Sequence, residues 1–374
     1  MKILNWYVLK QFLISFIMAI GILTFCMIGA RVVPVLEYVA QGVPIATFGK
    51  FMLYTMPIVL TFTIPLAVMV SVMLVFGRLS ADSEITAMRA CGVSILQLMS
   101  PIMILTVGLT ALCLYLQVQL GPPMLEKARN LFSNTVIDNP GAFIQPGKQL
   151  AFEDTSIYVT DKKELSGDSF ELYGIQIFRQ EGSKLADIQS ESGRLVVDRA
   201  KEEYSVILNN AVVRYQDGND HISVVPDNGD GTWKLTLNYG KLRNADEISQ
   251  RAKFMTMRNL MASIKMARML PKLSWHRAEQ ICDLEVELNE RIAFALSPLA
   301  FLLLGVPLAI RTSRRETSVG LFIGAVAGGF FFLSIILCES FSNFPQLYPQ
   351  YLLWLPNILY QIVGGIMVYR ISRK

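Results

Sequence analysis

Charge is what this chain has least of. Only 17% of its 374 residues are Asp, Glu, Lys or Arg, against 52% hydrophobic, whereas soluble domains carry about a quarter charged. A string of soluble domains is thereby excluded, and most of the chain has to lie in a membrane. Histidine is nearly absent as well. His221 and His276 are the only two, and neither stands at metal-ligand spacing or beside a nucleophile, so zinc chemistry and histidine-assisted nucleophilic catalysis have nothing to work with. No metal or other cofactor is expected. The five cysteines offer no framework: Cys26, Cys113 and Cys338 fall in apolar runs, and Cys91 and Cys282 lie in separate polar segments. No pair shares an oxidising compartment, and no disulfide is expected.

The scarce charges leave six long gaps, at 11–30, 51–77, 90–125, 292–310, 317–338 and 340–369. A hydrocarbon core needs about 20 apolar residues. One central charge costs roughly 2.5–3.5 kcal/mol on the insertion scale, while each Leu, Ile or Phe returns about 0.3–0.6. The gaps therefore read as six transmembrane helices. The first is too long for a signal-peptide core and lacks a cleavage site near Arg31. None of the spans is expected to hold a buried acidic or basic residue for a proton relay or coupling ion, so any transport must be powered by another subunit.

Basic residues set the orientation. Lys2, Lys10, Arg78 and Arg89, the cluster Arg311, Arg314 and Arg315, and the tail Arg370, Arg373 and Lys374 share one side, while the first hairpin on the other has only Arg31 and Lys50. Both termini are then cytoplasmic and the long insert between spans three and four is outside. The net charge of +4 divides into −4 over 126–290 and +8 over the rest. It reports orientation, and no nucleic-acid partner is expected.

The insert is a different kind of sequence. Trp233, Leu235, Leu237 and Tyr239 alternate with Lys234, Thr236 and Asn238, the period-two pattern of a half-buried strand. Further strands are expected at 157–160, 173–179, 194–198 and 204–215, with turns at Asp217-Gly218, Asp227-Asn228-Gly229 and Asp230-Gly231. The expected organisation is spans one to three with a cytoplasmic loop helix near 80–91 (1–125), an all-β, jellyroll-like module (126–245), a helical connector (246–290) and spans four to six (291–374).

Three features of the helical part invite function. In the cytoplasmic loop, Asp82 or Ser83 is placed to cap a short helix, Glu84 lies at its positive end, and Gly92 is placed to end it. Ile85 and Met88 give that helix a small apolar face beside Arg89, fit either for a groove on a cytoplasmic partner or for the lipid headgroups. Gly320, Gly324 and Gly328, four residues apart, allow a close helix approach, to a partner subunit or within the chain's own bundle. Arg31, at the outer edge of span one, suits a lipid phosphate or a plain interfacial anchor.

The stretch Ser83-Glu84-Ile85-Thr86-Ala87-Met88-Arg89-Ala90-Cys91-Gly92, together with Glu287-Leu288-Asn289-Glu290-Arg291-Ile292-Ala293, Gly305-Val306-Pro307-Leu308 and Trp354-Leu355-Pro356-Asn357, resembles the lipopolysaccharide export permeases of the LptF/LptG family across essentially the whole chain. The Ile85-Thr86 pair and Cys91 lean toward the LptF branch. That resemblance implies an inner-membrane permease subunit rather than an enzyme. It would pair with a second permease of the family above a cytoplasmic ABC ATPase dimer, and a coupling helix containing Glu84, Ile85, Met88 and Arg89 would meet the ATPase. It further implies lateral gates built from spans one and five, with Gly320, Gly324 and Gly328 at the gate, and a jellyroll that hands lipopolysaccharide to periplasmic jellyroll bridge proteins. Arg31 matches a basic position that meets lipid phosphate, with Lys50 the other basic residue of that hairpin. The competing class is a membrane-anchored periplasmic scaffold without transport activity.

Overall fold

The computed structural model describes residues 2–40, 44–138, 146–147, 149–152, 155–164, 169–181, 184–198, 203–217, 221–225, 232–238, 252–269, 275–312, 317–342 and 344–373. The expected turns at Gly218, Asp227-Asn228-Gly229 and Asp230-Gly231, Tyr239, and the basic pair Arg314-Arg315 lie outside these residues. The chain divides into two compact units, a helical one (1–32, 52–127 and 247–374) and a second one (33–51 and 128–246) that holds the β-sheet.

Six helices long and apolar enough to cross a bilayer occur among the described residues: Ile3–Ala30, Ile45–Ala81, Ile95–Leu131, Glu279–Thr312, Val319–Ser340 and Pro349–Arg373. Each covers most of one charge-free run, and the third and fourth run on through charged residues, at 126–129 and 279–291. The first lies in α1 (Lys2–Ala40), which continues as helix beyond Arg31. After α2 (Ile45–Ala81) come the short α3 (Glu84–Ala90) and α4 (Ile95–Tyr115), which passes through one π turn, Leu116–Leu120, into α5 (Gly121–Asp138). The wider turn brings Leu116 O over Gly121, where a Cβ would lie 2.9 Å from it. Past the sheet come α6 (Met257–Met269), α7 (Trp275–Thr312), α8 (Thr317–Ser340), a single turn Pro349–Leu352, and α9 (Leu355–Arg373). Helix α7 crosses the expected boundary at 290/291 without a break, and the connecting segment packs as part of the helical unit.

Two of the spans form the centre of the helical unit. About two thirds of the apolar window is buried in α2 (67%) and α7 (72%), against 22% in α1 and 22% in α8. Phe12, Phe76, Phe301 and Phe331 are fully buried there. Phe301 meets Phe331 edge-on with centroids 4.9 Å apart, Tyr360 lies 5.3 Å from Phe331, and its hydroxyl donates to Ala327 O at 2.7 Å. Such edge-to-face rings add about 0.5–1.5 kcal/mol per pair beyond the area they bury.

The β unit is an antiparallel sheet ordered β1 (Gln149–Phe152), β2 (Thr155–Glu164), β3 (Ser169–Glu181), β4 (Lys184–Asp198), β5 (Glu203–Asn209) and β8 (Thr232–Asn238), with β6 (Val212–Asp217) also on β4 and β7 (His221–Val225) on β6. The expected strand 204–215 is two strands in one register along β4, since Ser192 pairs with Asn209 and Gln189 with Val212. Between them Asn210 takes a left-handed φ of 51°. The same interruption crosses the neighbouring strands, skipping Thr160 in β2, Gly174 in β3 and Glu191 in β4. Gly174 has φ 59°, and a Cβ there would lie 2.4 Å from Thr160 Oγ1. Burial changes phase across this line, from Phe170 and Leu172 to Ile175 and Ile177 in β3, and from Ile188 to Leu195 in β4. Both halves of each strand therefore feed one core.

Candidate functional site

The α3 loop occupies one end of the helical unit. Ser83 stands at the N-cap with φ 58° and makes no side-chain cap bond. Its carbonyl accepts the first intrahelical bond, from the Ala87 N–H at 3.0 Å. The far end closes as expected on Gly92, whose φ is 85°. Gly92 N–H donates to Arg89 O at 2.9 Å and Val93 N–H to Met88 O at 3.1 Å, the paired bonds of a Schellman cap. A Cβ at Gly92 would meet nothing within 4 Å, so Gly92→Ala is expected to cost only the left-handed backbone penalty, about 1–2 kcal/mol. Amide exchange across 84–90 should accelerate about 5- to 30-fold, with the unfolding midpoint of the whole protein little changed.

The helix is seated by its apolar face. Ile85 is 5% exposed within the main core and Met88 packs half-buried against it, so this face belongs to the chain's own bundle. Glu84 and Arg89 stay partly exposed, and Thr86 and Ala87 are exposed. Tyr7 of α1 donates its hydroxyl to Glu84 Oε2 at 3.2 Å, and Ser80 Oγ donates to Ile310 O at 3.2 Å. The loop helix is thus tied to the first span, while the end of α2 just before it is tied to α7.

A charged cluster occupies the opposite end, about 28 Å along α7 from Ile310 to Arg291 at 1.5 Å per residue. Arg291, one residue before the charge-free run 292–310, is 4% exposed, a buried charge at the edge of the expected fourth span. The reason is a complete shell. Nε donates to Glu287 Oε1 at 2.7 Å, Nη1 to Met255 O at 2.8 Å, and Nη2 to Ala252 O at 2.9 Å and Lys253 O at 3.1 Å. Lys253 Nζ is paired with Glu339 Oε1 on α8 at 2.8 Å. Burial lowers the tendency of Lys253 to stay charged, but the bond to Glu339 and the fields of Glu339, Glu290 and Glu287 outweigh it, and its pKa lies above the ordinary lysine value. A cavity of about 180 Å³ adjoins the cluster, lined by Gln117 of the π turn, Lys253, Glu287, Glu290, Phe62 and Phe294 among others.

The two C-terminal motifs meet beside it. Trp354 Nε1 donates to Asn289 Oδ1 at 3.0 Å and Asn357 Nδ2 to Ala293 O at 2.7 Å. Sequence reasoning missed Tyr7, Lys253, Arg291 and Glu339 as members of these clusters. Two signals were present: Glu287 and Arg291 are one turn apart on a helix, and Glu339 is the lone charge between two long gaps.

The remaining candidates stand apart. Gly320, Gly324 and Gly328 are buried, and their missing Cβ atoms would lie 3.7 Å from Met73 Cε, 3.2 Å from Met73 Cγ and 2.9 Å from Leu66 Cδ2, so the stripe seats α8 on α2 of the same chain. Lys50 is exposed. Arg31 lies within α1, just past the apolar run, and its side chain lies outside what is described.

A bundle of six apolar helices with a capped loop helix at one end, a charged cluster at the other and an inserted antiparallel sheet defines a polytopic membrane protein. The family model described as "Lipopolysaccharide export system permease LptF/LptG" matches residues 6–370, and the chain belongs to that family. It is a non-catalytic permease of the lipopolysaccharide export ABC transporter. No curated protein matches the chain.

Proposed function

We propose that this chain is one half of the permease, of the LptF branch, paired with a second family member above a cytoplasmic ABC ATPase dimer. In this reading α3 is the coupling helix, with Glu84 and Arg89 facing the ATPase, and Ile85 and Met88 transmitting its movement into the bundle. Both termini are cytoplasmic in the inner membrane. Spans α1 and α8 border the lateral gates, Arg31 and Lys50 attract lipid phosphates, and the β unit passes lipopolysaccharide to jellyroll bridge proteins in the periplasm. The observation that carries this reading is the seating of α3. A seven-residue helix fixed by Ile85 and a glycine cap, with Glu84 partly exposed and hydrogen-bonded to Tyr7 of the first span, suits transmission of force between a partner and a peripheral span.

Glu84→Ala tests it. Export in cells, and ATP-driven release of lipopolysaccharide from proteoliposomes holding the whole complex, should fall about tenfold or more, as expected when a charge-assisted contact of roughly 1.5–3 kcal/mol is lost. The ATPase and the second permease should still co-purify. Unchanged release would favour a scaffold, which has no use for a coupled contact at α3.

A further inference from the structure

Lys253 stands between carboxylates on two different helices. Its ammonium is bonded to Glu339 on α8. Glu290, on α7, lines the same cavity as Lys253, acts on its charge through space and makes no ion pair among the described residues. The two ion pairs of the cluster differ in kind. Arg291 and Glu287 have side chains 4% and 13% exposed, whereas Lys253 and Glu339 are 52% and 32% exposed. The buried pair is permanent structure, and the partly exposed one is weak and exchangeable.

Arg291 holds the carbonyls of Ala252, Lys253 and Met255, so the Lys253 backbone is fixed to α7 while its ammonium swings on a four-carbon stem. Helix α8 is among the least buried of the spans, held on α2 through its glycines and on α7 and α9 through Phe331 and Ala327, and the gate reading has this helix move. Its departure would remove Glu339 from Lys253, and Glu290, in the same cavity lining and with no ion pair among the described residues, is then the carboxylate placed to receive the ammonium.

We propose that Lys253 is a two-position switch, bonded to Glu339 while α8 is docked and to Glu290 when α8 is displaced. It is a positioning residue for transport, and the inference rests on the reading of α8 as a gate helix. The test uses the whole complex in nanodiscs, with spin labels on exposed Ala262 of α6 and Phe341 just beyond α8, and distances measured by pulsed electron resonance with and without an ATP analogue. Glu339→Gln should raise the ratio of long to short distances at rest by about two- to fivefold, the size of an exposed ion pair. Glu290→Gln should lower the same ratio with nucleotide by a similar factor, and both should slow lipopolysaccharide release. In a Lys253→Met background neither change should matter further. Glutamine variants that shift the ratio in the same direction, or not at all, while α8 still responds to nucleotide would overturn the switch and leave the gate reading standing. An α8 that does not respond to nucleotide in the unsubstituted complex would overturn both.

Discussion

Arg291→Ala is expected to lower the stability of the helical unit by about 3–5 kcal/mol, the range found when one member of a buried ion pair is removed. The size follows from what remains. A guanidinium that is 4% exposed currently satisfies one carboxylate and three main-chain carbonyls, and alanine leaves all four acceptors in place with no donor and little access to water. Arg291→Lys should recover only a minor part of the loss. An ammonium supplies the charge but not the planar fork that reaches Glu287 and the 252–255 carbonyls together. Glu287→Gln, which keeps an acceptor for Nε, should be milder than either. Chemical unfolding of the purified protein checks the order. The local signature is faster amide exchange across 252–260, because Arg291 holds the start of that segment on α7, while Arg268, bonded to Glu285, holds its far end.

Gly364→Ala should be comparably damaging for an unrelated reason. A Cβ at Gly364 would lie 2.6 Å from Leu303 C and 2.7 Å from Leu303 O and Leu304 N. These are main-chain atoms of α7, so no rotamer change relieves the overlap, and α9 has to move away from the central helix. Overpacking costs about 1–3 kcal/mol where side chains give way and more where backbone must. The next residue supplies the control. A Cβ at Gly365 meets nothing within 4 Å, so Gly365→Ala should be neutral or stabilise α9 by roughly 0.5–1 kcal/mol through the helix propensity of alanine. Thermal unfolding of the two variants side by side reads the difference, and similar midpoints would show that α7 and α9 do not cross this closely.

The six spans and the inserted sheet were legible because each rests on a one-dimensional signal, a charge-free run or a period-two alternation. The loop helix was legible in part. Glu84 and Gly92 stood where a helix start and end need them, but Ser83, at the N-cap, takes a left-handed φ and makes no side-chain cap bond, a backbone conformation that the residue type alone does not mark. Arg291 could not be recognised as buried from the sequence alone. Its shell comes from carbonyls 36 to 39 residues away, and no pattern marks which carbonyls will be free. The glycine stripe spoke for close packing without naming the neighbour, and only the fold shows that Leu66, Met69 and Met73 of α2 fill it. Likewise the run 204–215 alternates well enough to pass for one strand, and the break at Asn210 depends on what lies beside it.

The interruption that crosses β2, β3, β4 and the β5–β6 line fixes alignment as well as shape. An even antiparallel sheet tolerates a slip of two residues, because every side chain keeps its face. Here such a slip would set the left-handed backbone of Gly174 beside a regular residue of β2 and separate the Thr160 hydroxyl from Gly174 O, to which it donates at 3.1 Å. It would also carry Ser190 Oγ away from Asn209 O, 2.6 Å from it at the break. One register alone sets all the irregular points abreast, so the line works as a keyway: each strand enters the sheet in a single position, and sliding along its neighbour is closed to it.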